Sequence, residues 1–422
     1  MAKIVMKFGG TSVADTDRIL HVAKLVKKKF DENNKVIVIV SAMAGVTNDL
    51  VQKSKKISEN FPADEYDALL SSGEQVTSTL LSAALQDLGI KSRSWLGWQI
   101  PIVTDGDHKN SRIVSVNSKI LNDCLDQNII PVIPGFQGLS QENRITTIGR
   151  GGSDASAVAV AKCVDADFCE IYTDVDGVFT TNPDIESKAK KIDKISYEEM
   201  LEMASLGAKV MQSSSVQTAM INDVEIYVKS TFTNNPWTQI LSEDKISYEN
   251  VITGVAYSKD DAKITLQGVK DKPGVASKIF KPLFDNNIVV DMIVQNISAD
   301  NKKTDVTFTI KRDDLKKTKS LMEVLKSELE YDSILADDQV SKVSIVGAGM
   351  ITHPGVAYKM FNALSSKNIN IQVISTSEIK ISVLVDEKNT KEAVQVIHQV
   401  FELDKWVKLD LLEKFQEENQ DK

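Results

Sequence analysis

The stretch Lys7-Phe8-Gly9-Gly10-Thr11-Ser12, directly behind the apolar run Ile4-Val5-Met6, decides the fold. An extended apolar run entering paired glycines and hydroxyls reads as a strand opening into a turn. Glycines there let backbone N–H groups approach an anion, and Lys7 adds a fixed positive charge. Downstream, Ile19, Val22, Ala23 and Val26 recur at helical spacing. Strand, glycine turn and helix, in that order, are where α/β proteins hold phosphates. Neither the GxxxxGK[ST] loop nor the GxGxxG fingerprint is present. Alone, a Gly-Gly turn is more often just a tight turn, so its meaning depends on what surrounds it.

Outward from that turn, Val36-Ile37-Val38-Ile39-Val40 is a continuous β-branched run, suited to a strand buried on both faces of a parallel sheet. It ends in Ser41-Ala42-Met43-Ala44-Gly45-Val46-Thr47, whose hydroxyls cap a helix or line a site at the sheet's carboxyl edge. Residues 64–89 read as one long helix interrupted by Ser72-Gly73-Glu74-Gln75. A glycine inside a helix costs roughly 1 kcal/mol against alanine and wants a reason; Glu74 by itself reads as a surface charge. Gly149-Arg150-Gly151-Gly152-Ser153-Asp154 leads into an alanine-rich helix, Ala155 to Cys163. N–H donors, a positive helix end and a guanidinium together make a strong anion site, with a capped loop as the plainer reading. The strand from Glu170 ends in Asp174-Val175-Asp176-Gly177, which reads either as Mg²⁺ or ribose ligands or as an Asp-Gly turn. Gly207-Ala208-Lys209 follows a helix, and residues 233–250 read as a linker.

The 422 residues imply two or three domains, and 42% hydrophobic with 26% charged residues is the composition of a soluble globular protein. A net charge of −9 argues against a nucleic-acid binder. There is no membrane-length apolar run, and Met1-Ala2-Lys3 leads straight into a strand, so a cytoplasmic protein is expected. Cys124, Cys163 and Cys169 form no CxxC and read as reduced thiols. His21, His108, His353 and His398 are scattered, without metal-ligand or triad spacing.

Beyond the linker the chain repeats itself. Pro273/Pro354, Gly274/Gly355, Val275/Val356, Phe280/Phe361, Leu283/Leu364 and Asn287/Asn368 keep a constant offset of 81 residues. Each copy reads strand, Pro-Gly turn, helix, two strands, helix, a ferredoxin-like βαββαβ module. Two copies without plausible catalytic residues suggest a regulatory part. Pro282 stands in the first copy where the second has Ala363. A helix that is kinked or ends early is therefore expected after Pro273, and a straight one after Pro354.

Lys-Phe-Gly-Gly-Thr-Ser at 7–12, Ser-Ala-Met at 41–43, Gly-Arg-Gly-Gly-Ser-Asp at 149–154 and Tyr-Thr-Asp-Val-Asp-Gly-Val at 172–178 together resemble the aspartate kinase family. Gly-Ala-Lys at 207–209 and the paired Pro-Gly-Val modules, which resemble tandem ACT domains, extend the likeness over nearly the whole chain. The resemblance implies an α/β fold: an amino-acid-kinase three-layer α/β/α sandwich with a mostly parallel sheet over 1–245. Two ACT domains would follow at 262–337 and 343–422, with a strand from 250–260 as a candidate completion of the second. It also implies transfer of the ATP γ-phosphoryl group to the side-chain carboxylate of L-aspartate. Such an acceptor is already ionised, so no general base is needed.

By motif, Lys7, Lys209 and Asp154 would be catalytic. ATP would be held by Lys7, Gly9, Gly10, Thr173, Asp174, Phe179, Asn182, Pro183 and Lys209, with Mg²⁺ bound mainly through its phosphates. Aspartate would be held by Ser41, Thr47, Glu74, Arg150, Ser153 and Asp154. Asn182 and Asp184 depart from the family's usual nucleotide turn, as does Phe179 from a frequent tyrosine.

The resemblance further implies that lysine or threonine binds where Asp271, Gly274, Val275, Ala276 and Gln295 meet Asn370, Ile371 and Ser377 of the other module. Val289 replaces a frequent asparagine and would leave the equivalent site weak. A homo-oligomer, dimer or tetramer, assembled through the ACT domains and without a fused dehydrogenase is expected. Two other readings compete: another amino-acid or carbamate kinase of the same fold, and an inactive amino-acid sensor. Gly149 to Asp154 with the ACT pair speaks against the first; joint retention of Lys7, Glu74, Arg150, Asp154 and Lys209 speaks against the second.

Overall fold

The computed structural model describes residues 1–149, 151–206, 210–246, 250–297 and 303–405. They form two compact units. The first holds Met1–Val178, Lys191–Ser205 and the segment on to residue 246, and the second holds Phe179–Lys190 and residues from 250 onward.

The first unit begins β1 (Lys3–Phe8), α1 (Thr16–Asp31), β2 (Lys35–Val40), α2 (Val46–Ile57), α3 (Ala63–Asp87) and β3 (Ser92–Ser94). It continues β4 (Ile102–Thr104), β5 (Ile113–Val116), α4 (Lys119–Asp126), β6 (Ile130–Pro134), β7 (Gln137–Leu139), β8 (Ile145–Thr147) and α5 (Gly152–Cys163). Then come β9 (Phe168–Thr173), β10 (Lys194–Ser196), α6 (Tyr197–Ser205), α7 (Ser213–Asn222), β11 (Ile226–Ser230) and β12 (Thr238–Leu241). Eight strands make one sheet in the order β10-β12-β11-β9-β1-β2-β6-β3. It is parallel except where β11 meets β12. Strands β1 and β2 are buried along almost their whole length, the packing their unbroken apolar runs dictate. Helices α1 and α3 cover one face, through Ile19, Val22, Val26, Leu81 and Leu85 against Ile4, Met6, Phe8, Val38 and Val40. Helix α5 packs on the other, against β1, β2 and β9. This is the three-layer α/β/α sandwich, and the carboxyl ends of β9, β1, β2 and β6 lie side by side along one edge. A small sheet, β5-β4-β7-β8, stands beside it.

The linker expected at 233–250 is corrected. Residues Thr238–Leu241 form β12, antiparallel to β11. The Thr238 hydroxyl donates to Ile192 O at 2.6 Å and accepts from Val178 N at 2.9 Å, which ties this short strand into the sheet edge.

The second unit contains β13 (Gly254–Ser258), β14 (Asp261–Lys270), α8 (Val275–Asp285), β15 (Val290–Ile297), β16 (Lys303–Lys311), α9 (Leu315–Val324), α10 (Lys326–Leu329) and β17 (Ser333–Asp337). It ends with β18 (Val340–Val346), α11 (Val356–Ser366), β19 (Val373–Thr376), β20 (Lys380–Asp386) and α12 (Thr390–Val400). Two antiparallel sheets result, β15-β16-β14-β17 and β13-β18-β20-β19. Strand β13 precedes the first module in the chain yet pairs with β18 of the second, Gly254 opposite Val346. The first module is thus inserted within the second. Between the modules, Met292 and Val294 pack with Val340, Val373 and Leu384. The expected early end is also corrected: α8 continues through Pro282 for 11 residues, as many as α11. Pro282 lies in the last turns, where it forfeits only the bond to the Lys278 carbonyl, on an exposed residue. Buried Ile279 and Leu283 hold the helix down on either side.

Segment Phe179–Lys190 packs into this second unit. Val255 N donates to Thr180 O at 2.7 Å, and the Thr180 hydroxyl shares a 2.9 Å hydrogen bond with His398 Nε2. Gln395 Nε2 donates to Ile185 O at 2.9 Å, and Ile185 itself packs against the second module's core. Among the described residues no helix is long and apolar enough to cross a membrane.

Candidate active site

At the carboxyl edge of the large sheet lies a cavity of about 600 Å³. Of the residues expected to act, Lys7, Gly10, Ser41, Thr47, Glu74, Ser153 and Asp154 line it together. Strand β1 delivers Lys7, β2 runs into Ser41, α2 brings Thr47, α3 brings Glu74, and the first turn of α5 brings Ser153 and Asp154. Arg150, Gly207, Ala208 and Lys209 lie outside the described residues.

The glycine turn divides its work. Gly9 N donates to Tyr172 O at 3.1 Å, so that N–H is spent on pinning the turn to β9 and is not offered to an anion. Gly10 is the glycine that faces the cavity, and any side chain there would meet Ala42 O at 2.9 Å. Ser12 Oγ lies 2.6 Å from Thr231 Oγ1, which holds the turn's far side. At α5, Gly151 supplies the left-handed conformation (φ 74°) that starts the helix, where a side chain would collide with Gln212.

Lys7 Nζ and Asp154 Oδ1 form an ion pair at 2.5 Å, both side chains 10% exposed. The pair holds an ammonium at the positive end of α5, where an entering anion meets charge and dipole together. Glu74 is 3% exposed; Oε1 accepts from Ala42 N at 3.1 Å, while Oε2 has no hydrogen-bond partner among the described residues. Burial pushes its carboxyl up to about 7, against the lowering effect of the Ala42 N–H. Glu74 is therefore no surface charge. Gly73 beside it has the packing reason the sequence demanded: a Cβ there would lie 2.8 Å from that of Ala42.

Of the residues expected to hold ATP, Lys7 and Gly10 line this cavity, whereas Thr173 and Asp174 of the same unit do not. Thr173 and Asp174 end β9, with the Thr173 hydroxyl donating to Asp174 at 3.1 Å. Asp176 is a turn residue: Asn235 Nδ2 donates to it at 2.8 Å and the Thr233 hydroxyl holds its other oxygen, keeping its carboxyl below the usual range. Phe179, Asn182 and Pro183 belong to the second unit. There Asn182 Oδ1 accepts from Asp184 N at 2.9 Å, closing the local turn an aspartate would also close.

In the regulatory modules, Gly274 opens α8 in the left-handed conformation (φ 89°), with Asp271 preceding it and Val275 and Ala276 in the first turn. Gln295 lies exposed on β15. Asn370 and Ile371 line a separate open cavity of about 480 Å³ with Phe361, Ser365, Asn368 and Ile369, and Ser377 follows β19. That cavity does not include the first-module residues.

Sequence reasoning missed Lys109 and Asn110, which line the same cavity from the loop between β4 and β5. The loop's one visible signal, His108, drew no weight for want of a partner in the sequence.

The family model described as amino acid kinase family matches residues 2–230, and that of the ACT domain matches 264–323 and 343–401. The aspartate kinase of Stutzerimonas stutzeri (strain A1501) is 46% identical over 96% of this chain and 98% of its own. The crystal structure of Clostridium acetobutylicum aspartate kinase superposes with a TM-score of 0.77 at 26% identity, covering 94% of this chain and all (100%) of that one. That of E. coli aspartokinase III in complex with aspartate and ADP reaches 0.79 at 24% identity over 94% and 99%.

Proposed function

The chain belongs to the amino acid kinase family, among its aspartate kinases, and from that premise we propose how its cavity works. The enzyme transfers the γ-phosphoryl group of ATP to the side-chain carboxylate of L-aspartate. The product, 4-phospho-L-aspartate, opens the route to lysine, threonine, methionine and diaminopimelate, under feedback through the ACT domains.

The acceptor carboxylate is ionised at neutral pH, so the residues position and neutralise rather than abstract a proton. Glu74 takes the substrate ammonium, whose charge draws the proton off its raised carboxyl. Arg150 grips a carboxylate as a bidentate fork. Ser41, Thr47 and Ser153 supply short polar contacts around it. Lys7, held by Asp154, meets the transferring phosphoryl group at the head of α5, and Lys209 meets the nucleotide phosphates. Thr173 and Asp174, at the end of β9, hold ATP. Mg²⁺ fits as an ion carried by the nucleotide: among the described residues no cluster of three His, Cys, Asp or Glu forms a cage, and Asp154 is committed to Lys7. When bound it neutralises charge on the phosphate oxygens. As a user of ATP and free amino acids the enzyme works in the cytoplasm, with lysine or threonine as effector and the ACT modules joining its copies.

The observation that carries this reading is the Lys7–Asp154 pair lining one cavity together with Glu74. The experiment supplies ATP, Mg²⁺ and a panel of amino acids, with hydroxylamine to trap an acyl phosphate. Hydroxamate is expected with aspartate. Its appearance with glutamate or acetylglutamate instead would move the enzyme to another branch of the family, and none with any substrate would leave a sensor.

A further inference from the structure

We propose that Lys109 is a specificity residue for the acceptor, its ammonium binding a carboxylate of aspartate, and that Asp67 with His108 is the device that positions it. The inference rests on the reading of the cavity as the aspartate site.

Asp67 lies on α3 seven residues before Glu74, two helical turns along the same face. It is completely buried, yet its carboxylate is fully engaged. Oδ1 accepts from the Thr147 hydroxyl at 2.6 Å, both oxygens accept from Lys109 N at 3.1–3.2 Å, and Oδ2 lies 2.7 Å from His108 Nδ1. A buried carboxylate is costly unless it is met this way, and here two of its partners come from one loop. The loop is thereby fixed against α3. Lys109 itself adopts φ 74°, the left-handed region that a lysine enters only at a cost of about 1–2 kcal/mol. Any glycine would occupy that position without strain, so the stability of the loop does not ask for lysine.

The charge inventory of the cavity says what the lysine is for. Lys7 is already paired with Asp154, and Glu74 lines the same cavity as a second acid. The ammonium of Lys109 forms no ion pair among the described residues; it lies 4.9 Å over the ring of Tyr66, at the cavity wall. Aspartate brings two carboxylates and one ammonium. Glu74 answers the ammonium, and with Lys7 paired to Asp154 a carboxylate is left for the cation that Asp67 holds in place.

Lys109→Gly in the full-length enzyme separates this role from a structural one, because it removes the ammonium while relieving the strained backbone. The expected result is an unchanged or higher Tm together with a KM for aspartate raised about tenfold or more. The KM for ATP should stay put and kcat should move by less than about threefold. Lys109→Arg should return the aspartate KM to within about threefold of the parent, and His108→Leu, which loosens the clamp, should raise it with the same KM-against-kcat split. Glu74→Gln is measured alongside. If Glu74→Gln raises the aspartate KM and Lys109→Gly does not, Lys109 has no hand in recognition and the inference falls alone. If neither moves it, the cavity is not the aspartate site and both readings fall. A change in the ATP KM instead would also overturn the proposal.

Discussion

Glu74 sets the pH behaviour of the cavity, and the sign of the effect follows from its surroundings. Burial raises its carboxyl from 4.5 to about 7, so between those values the folded protein holds a proton that the unfolded chain has released. Its contribution to stability therefore falls as pH rises through that window, the reverse of an ion-paired acid. If Glu74 meets aspartate's ammonium as proposed, binding requires the ionised form and expels the proton below about pH 7. The KM for aspartate should climb as pH drops from about 7 to 5.5, approaching tenfold per unit at the acid end. Calorimetry at pH 6 in two buffers of different ionisation enthalpy should register the released proton. Glu74→Gln should bind weakly with a flat profile; a flat profile in the parent enzyme would show that Glu74 does not meet the ammonium. At this scale the sequence was legible where chemistry and local pattern coincide. Lys7, Gly10, Ser153 and Asp154 stand at strand ends and helix starts, and all four line the cavity. Glu74 alone looked like surface, because nothing local announces that a helix will be covered. Lys109 was illegible because its position is set by Asp67, 42 residues away.

Helix α3 shows how an element carries a residue to its place. Gly73 lets the helix lie against Ala42 closely enough for Glu74 to reach that residue's N–H. Gly73→Ala would gain about 1 kcal/mol in helix propensity. It would also force its Cβ to within 2.8 Å of Ala42 Cβ and 3.4 Å of Val46. Overpacking of that kind costs about 1–3 kcal/mol, so the overlap is expected to win. The Tm should fall by a few degrees and the aspartate KM should rise as Glu74 is pushed out of line; an unchanged KM would mean that α3 tolerates the shift. Elements with long periodic patterns were legible, α3 among them, its expected 64–89 appearing as Ala63–Asp87. Those decided by tertiary contacts were not. Thr238–Leu241 is too short to show a period, and its strand exists because Thr238 meets Ile192 and Val178. The effect of Pro282 was overstated, because propensity weighs a lost hydrogen bond fully and ignores the core that Ile279 and Leu283 provide.

At the scale of the molecule, the repeat at a fixed offset made both regulatory modules visible, but the sequence order concealed how the chain is shared between its units. Segment Phe179–Lys190 lies in the linear span of the kinase yet packs with the regulatory unit through Val255, Gln395 and His398. A protein ending at residue 246 would strip those partners from Thr180 and Ile185. Trypsin should then cut at Lys188 or Lys190 at least about tenfold faster than in the full chain, since local opening governs cleavage. Equal rates would show that the segment holds itself. The consequence reaches past one molecule to how such enzymes can be recombined. A regulator of this design cannot pass between kinases as one contiguous stretch of gene: a chimera that receives 250–405 without 179–190 inherits a socket cut for someone else's peg, and only the exchange of both pieces keeps the regulator whole.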